Sequence, residues 1–189
     1  MAKLSFRNAG RRAMYRRYEV AAEGGDADAM LFLATMHARE DPEASRGWFR
    51  RAAEAGNVHA MYIVGLFVEP NSPDESRVWL ERAAAGGHPD AIVKLGVAAQ
   101  QGGDGAGARA LYEQAAGLGS TAAMFNLGLM HEQRDLAAAR GWYEKAVEGG
   151  DVDAMFSLGR LIEHDEPDAA RALWQRAADA GHAEAAERV

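Results

Sequence analysis

The chain has 189 residues, the length of one ordinary domain or of a short repeat array. Charged residues make up 26% and hydrophobic ones 48%, the balance of a folded chain, and a net charge of −7 argues against general nucleic-acid binding. The absence of cysteine excludes disulfides, thiolate metal sites and cysteine nucleophiles, while 41 Ala and 21 Gly beside only 5 Pro favour closely packed helices.

The first 17 residues carry Lys3, Arg7, Arg11, Arg12, Arg16 and Arg17 with no acid, whereas the remainder carries 15 basic and 28 acidic residues, a charge of −13. No apolar core follows this basic start, so it is not a signal peptide. No apolar stretch approaches the ~20 residues of a membrane span, and the expected location is the cytoplasm. Arginine outnumbers lysine 18 to 3, which fits a GC-rich bacterial genome. Residues 1–17 are read as a basic N-terminal capping segment whose arginines meet acids of the first repeats. Residues 18–189 are read as a single repeat array. The alternative for the basic segment is an arm that touches nucleic acid or an anionic membrane.

From residue 18 onward one phrase recurs. Its glycine falls at Gly25, Gly56, Gly87, Gly119, Gly150 and Gly181, and its alanine at Ala29, Ala60, Ala91, Ala123, Ala154 and Ala185. The glycine step is 31 residues, with one step of 32. Four and five residues after the alanine come Leu33-Ala34, Val64-Gly65, Leu95-Gly96, Leu127-Gly128 and Leu158-Gly159. Eight residues before the glycine stand Arg17, Trp48, Trp79, Leu111, Trp142 and Leu173.

Each unit reads as two helices. The one that follows the glycine is termed A and the other B. B helices are expected from Pro42 and near 73, 105, 136 and 167, behind Asp41, Ser72, Asp104, Asp135 and Glu166. Asp and Ser side chains accept from free first-turn N–H groups, and proline suits the first helical position. Ser72 and Glu75 form a capping-box pattern. The repeated glycine supplies the left-handed residue that ends helix B, and the connection to the next A helix is very short. Small residues let the helices approach, and the Trp or Leu eight before the glycine is expected to fill the space between them. The run 102–107 (GGDGAG) matches no phosphate-binding fingerprint and is read as a loop that absorbs the extra residue of the 32-residue unit. Its glycines, with Gly117, make 94–119 the expected weak point of the array. Residues 183–189 begin a helix without a following partner, which reads as a dimer contact, a frayed end or a truncated chain.

The phrase Ala-x-x-x-Leu-Gly, a capped start, then Ala-x-x-Trp-[Phe/Tyr]-x-[Arg/Lys]-Ala-Ala-x-x-Gly resembles Sel1-like repeats, relatives of tetratricopeptide repeats. Ala123, Leu127, Gly128, Asp135, Ala139, Trp142, Tyr143, Ala146, Gly149 and Gly150 show it best. The resemblance covers about residues 15–189. It departs from the family where a Tyr-x-x-Gly-x-Gly segment is trimmed and His37, Val68, Ala99, His131 and Ile162 stand at the tyrosine position. The fold it implies is all-α: a right-handed α-solenoid of antiparallel helix pairs, about six repeats of ~31 residues. The function it implies is a non-catalytic scaffold or adaptor for other proteins.

Chemistry-bearing patterns are sparse. His131-Glu132 begins like a zinc-protease helix but lacks the second histidine. Neither a catalytic set nor a metal site nor a cofactor is expected, and no small-molecule substrate; the chain is taken as a monomer or weak homodimer. By analogy with related solenoids, the residue two after the repeat alanine faces the concave groove. These residues are Leu31, Tyr62, Val93, Phe125 and Phe156, and four further on stand Thr35, Leu66, Val97, Leu129 and Arg160. A spacing of four keeps both sets on one helix face. This stripe is the candidate partner-binding surface for a peptide or protein, and packing between adjacent repeats is the competing reading. A second feature is an arginine ladder on the B helices: Arg46, Arg77, Arg109, Arg140 and Arg171. Glu81, Glu113 and Glu144 stand four residues after three of them.

Overall fold

The computed structural model describes residues 2–68 and 72–189, with side chains from residue 13 onward. Helices follow one another with no strand among the described residues. They are α1 (Ala2–Glu23), α2 (Ala27–His37), α3 (Pro42–Glu54), α4 (Val58–Val68), α5 (Pro73–Ala85), α6 (Pro89–Gln101), α7 (Gly105–Gly117), α8 (Thr121–His131), α9 (Leu136–Glu148), α10 (Val152–Ile162), α11 (Pro167–Asp179) and α12 (Ala183–Ala186). The array is an all-α repeat fold made of A and B helices in turn. Two compact units divide it, Met1–Ala91 and Ile92–Val189. In the first, α2 packs on α3 and α4 on α5; in the second, α8 packs on α9 and α10 on α11.

Local chemistry fixes the helix ends. Asp41, Asp104 and Asp135 accept from the backbone N–H groups of Ala44, Gly107 and Ala138, starting α3, α7 and α9. Asp26, Asn57, Ser120, Asp151 and His182 do the same for α2, α4, α8, α10 and α12. Each such contact satisfies one of the unpaired donors of a helix start. The repeat glycines all take positive φ, from 83° to 99°, which side chains rarely tolerate. Behind each, the N–H of the next residue reaches back across the turn, as from Asp151 to the Ala146 carbonyl at 2.9 Å.

Ser72 and Glu166 depart from this scheme. Neither caps with its side chain. The Ser72–Glu75 capping box does not form, because Glu75 accepts from Arg50 Nη1 at 2.8 Å and from Trp79 Nε1 at 3.3 Å. Glu166 instead accepts from Arg140 Nη1 at 2.7 Å. Both carboxylates tie one B helix to the next.

The core lies along one face of each B helix, at positions 11, 7 and 4 before the repeat glycine. Ala108, Tyr112 and Ala115 in α7 are fully buried, as are Ala139, Tyr143 and Ala146 in α9. Ala170, Trp174 and Ala177 are buried in α11, and Ser76, Leu80 and Ala83 in α5. A large interior side chain therefore stands seven residues before the glycine in α5, α7, α9 and α11, and at eight Trp79 and Leu173 are buried as well. The residue at seven presses on the glycine of the preceding A helix: a Cβ on Gly65, Gly96, Gly128 or Gly159 would overlap Leu80, Tyr112, Tyr143 or Trp174. Trp48 and Trp142, one residue earlier, are half-buried and lie under cations. Arg51 sits 4.1 Å from the Trp48 ring centre and Lys145 4.2 Å from that of Trp142. Leu111 at the tryptophan position thus costs α7 less than expected, since Tyr112 supplies its core.

The extra residue of the 32-residue unit is not taken up by a longer loop. Helix α6 has 13 residues where α4, α8 and α10 have 11, and the link that follows it shortens to residues 102–104. Gly103 at φ +84° ends α6 in the manner of a B helix, with Asp104 N–H on the Ala99 carbonyl at 2.9 Å. The glycines at 105 and 117 touch nothing that a Cβ would meet. Their conformational cost is therefore not offset by close packing. At the N-terminus α1 runs unbroken through residue 17, the expected edge of the capping segment. Arg16 and Arg17 are exposed and pair with no acid among the described residues; Lys3, Arg7, Arg11 and Arg12 have side chains outside them.

Candidate functional site

The candidate stripe divides by burial. Leu31, Tyr62 and Leu66 in the first unit are half-buried, as are Val93, Val97 and Phe125 in the second. Leu129 is 42% exposed. Phe156 is an interior residue at 7% exposure, within the cluster that includes Trp174 and Leu158. Its ring lies under His182 with centroids 4.5 Å apart, and its carbonyl accepts from Trp174 Nε1 at 3.2 Å. Arg160 is exposed and donates to Glu132 Oε1 at 3.3 Å. Phe125 leans on Tyr143 with centroids 5.9 Å apart. The stripe therefore mixes packing between repeats with open apolar surface. Open surface is greatest at Leu129, since α8 meets its core needs through Ala123, Leu127 and Gly128.

Tyr62 repeats the arrangement of Phe156. It stacks on His88, centroids 4.5 Å apart and planes 21° apart. Burial raises its pKa, and Asp90 adds to the shift. His59 Nδ1 stands 3.1 Å from His88 Nε2, and the two rings stack. Burial lowers the pKa of His88; Asp90 opposes that shift and His59 adds to it. The contact belongs to a series in which the residue two after one cap meets the next cap. Asn57 Nδ2 donates to Asp28 Oδ1 at 2.8 Å, and His182 Nε2 lies 3.6 Å from Asp153. Sequence reasoning missed this series, although its signal was present as polar residues at one repeat position facing polar caps.

The arginine ladder is mostly engaged. Arg77 pairs with Glu81 at 2.9 Å and Arg140 with Glu144 at 2.7 Å, as helix spacing predicts. Arg46 pairs with Glu43 and Arg171 with Asp168, one turn on the other side. The Arg109–Glu113 pair does not form. Hydrogen bonds donated by Arg140 to Glu166 and Glu144 raise its pKa further. Burial, with Glu132 beside it, raises the Tyr143 pKa. Such exposed pairs contribute little each. No group of three or more metal-ligating side chains occurs among the described residues, and no described helix is long and apolar enough to cross a membrane.

Comparison with known proteins agrees with this geometry. The Sel1 repeat model matches residues 27–57, 60–88, 89–120, 121–151 and 152–182. Among solved structures, c5321, a protective antigen of uropathogenic Escherichia coli with an SLR fold, is 27% identical with a TM-score of 0.79. That match covers 88% of this chain and 41% of the antigen. A Sel1 repeat protein from Oxalobacter formigenes is 25% identical with a TM-score of 0.81, over 92% of this chain and 57% of that one. The chain thus spans about two fifths to just over half of the length of these two relatives. The immunity protein PA5088 of Pseudomonas aeruginosa shares the fold at 21% identity and a TM-score of 0.62, over 92% of this chain and 73% of that one. No curated protein matches the sequence. With five repeats matched across nearly its whole length, the chain belongs to the Sel1 repeat family.

Proposed function

We propose that the chain is a non-catalytic adaptor that binds a peptide or partner protein through the A-helix stripe, with no cofactor. The observation that carries this reading is Leu129, a large apolar side chain 42% exposed on a helix whose opposite face already fills the core. Half-buried Phe125 and the Glu132–Arg160 ion pair flank it, giving an apolar centre with a polar rim. Leu31 and Leu66 would serve likewise in the first unit. Membership of a family of protein-interaction repeats supports the same class of function.

The test is affinity capture from native lysate with the wild type and with Leu129→Glu. A protein retained by the first and lost by the second, at equal thermal stability of the two baits, supports the adaptor reading. Equal recovery by both baits overturns the stripe as the binding face. A second reading, contact with nucleic acid or anionic membrane through α1, is favoured by the exposed Arg16 and Arg17, which pair with no acid among the described residues. Steep loss of affinity with salt identifies that mode, because phosphate contacts release counterions.

A further inference from the structure

Among the described residues, helix α1 has no preceding A helix of the kind that covers later B helices. Positions 11, 7 and 4 before the repeat glycine are fully buried in α7 and α9. In α1 the same positions hold Met14, Tyr18 and Ala21. Met14 is 39% exposed and the other two are half-buried. The cause is topological. Each later face is covered by the A helix that precedes it, whereas the residues before Met14 continue α1 itself back to Ala2. What remains beside α2 is a groove of about 700 Å³, lined by Met14, Arg17, Tyr18, Ala21, Ala29 and Phe32 among others.

The protein's own repeats show what fits such a groove. Tyr112 covers Gly96, and Tyr143 covers Gly128. Each tyrosine hydroxyl then donates to the side chain four residues after that glycine. Tyr112 reaches Gln100 Oε1 at 3.0 Å and Tyr143 reaches Glu132 Oε1 at 3.1 Å. Residues 95–100 and 127–132 are therefore one pattern, Leu-Gly-x-x-x-[Gln/Glu], read by a tyrosine seven residues before the repeat glycine. Tyr18 is the third tyrosine at that position. Its ring stacks on Phe32 with centroids 3.9 Å apart, and its hydroxyl bonds no group among the described residues.

We propose that the α1–α2 groove docks an amphipathic helix of another protein carrying Leu-Gly-x-x-x-Glu. The glycine lies beneath the Tyr18 ring and the carboxylate accepts from its hydroxyl. Glutamate is favoured over glutamine by Arg17, which lines the groove and has no ion-pair partner among the described residues. The acids that also line it are engaged: Asp26 caps α2 and Asp28 accepts from Asn57. A second copy of this chain is not the occupant, because Gly96, Gly128 and Gly159, the glycines of every copy of the pattern in it, are buried in its own fold. Met14, where other B helices have Ser or Ala, adapts its flexible thioether to the incoming helix. This groove is separate from the stripe, and its occupancy does not depend on the stripe's role.

The probe is a labelled synthetic peptide of residues 120–135, which carries the pattern with its natural caps, titrated with the full-length chain and read by fluorescence anisotropy. Saturable binding is expected, weakened at least about tenfold by Gly128→Leu in the peptide or by Met14→Arg in the protein. Met14 is exposed enough for the second change to leave folding intact, which circular dichroism checks. Tyr18→Phe in the protein and Glu132→Ala in the peptide should each weaken binding, and together no more than either alone. Three results overturn the proposal. One is absence of saturation at about 1 mM protein. Another is equal affinity for the Gly128→Leu peptide. The third is wild-type dimerisation in sedimentation that Met14→Arg abolishes, since the occupant would then be a second copy.

Discussion

His88 in the first unit and His182 in the second occupy the same repeat position, the residue after the helix-ending glycine. Each stacks on the aromatic of the preceding A helix, Tyr62 or Phe156, at the same centroid distance of 4.5 Å. Their other contacts differ. His182 Nδ1 accepts from the Ala185 N–H at 3.1 Å, and Asp153 lies 3.6 Å from its Nε2. His88 Nδ1 is buried without a partner among the described residues, and its Nε2 faces His59. Repeated backbone geometry thus carries two electrostatic settings, one that opposes protonation and one that presents a carboxylate.

Four experiments would break or sharpen this contrast. The largest expected effect is Phe156→Ala, which should destabilise the chain by about 3–5 kcal/mol because the ring is buried. Chemical denaturation measures it, and a loss under ~1 kcal/mol would return Phe156 to the open stripe. Tyr62→Ala should cost less, about 1–2 kcal/mol, since its ring is half-buried and its main loss is stacking.

Acid should act selectively through His88. Its folded pKa lies below the ordinary 6.5, so the neutral ring is favoured by folding. That contribution is fully present above about 6.5 and is lost as pH falls through the lower folded value. Denaturation at a series of pH values should show this loss in the wild type and its absence in His88→Asn. An unchanged acid profile in His88→Asn would assign the sensitivity elsewhere. The smallest effect is expected from Asp153→Asn. Its side chain is 70% exposed, and such pairs are worth about 0–1 kcal/mol. A larger loss would show that the carboxylate holds the His182 cap in place.

The helices were legible in the sequence because their signals are local. Asp41, Asp104 and Asp135 stand just before α3, α7 and α9, and the repeat glycines end the helices before them. The core was legible only to within one residue. Trp142 and Tyr143 are both large and aromatic, and one step along a helix turns the face by about 100°. Periodicity alone does not choose between them. The overlap of Tyr143 with Gly128 does, and that requires the partner helix. The stripe was ambiguous for a similar reason. Phe125 and Phe156 occupy one repeat position, yet Phe156 meets a histidine at the next cap where Phe125 has Asp151. A histidine cap alone does not decide burial, since Tyr62 stacks on His88 in the same way and is half-buried, so the outcome rests on contacts with other helices. The Ser72–Glu75 box misled because Glu75 is taken by Arg50 of a neighbouring helix, as Glu166 is by Arg140, a long-range effect.

Gly103 bears on how such a chain tolerates change in length. An A helix without it stops through a simple four-residue hydrogen bond, as at Asp135 N–H to the His131 carbonyl. With it, α6 runs two residues longer and its exit closes one residue sooner, so a net insertion of one residue leaves the downstream caps in phase. A single left-handed glycine therefore works as an adjuster of reading phase. This array thus gains one residue within a unit and keeps the units after it in alignment, with a glycine at the exit of the longer helix.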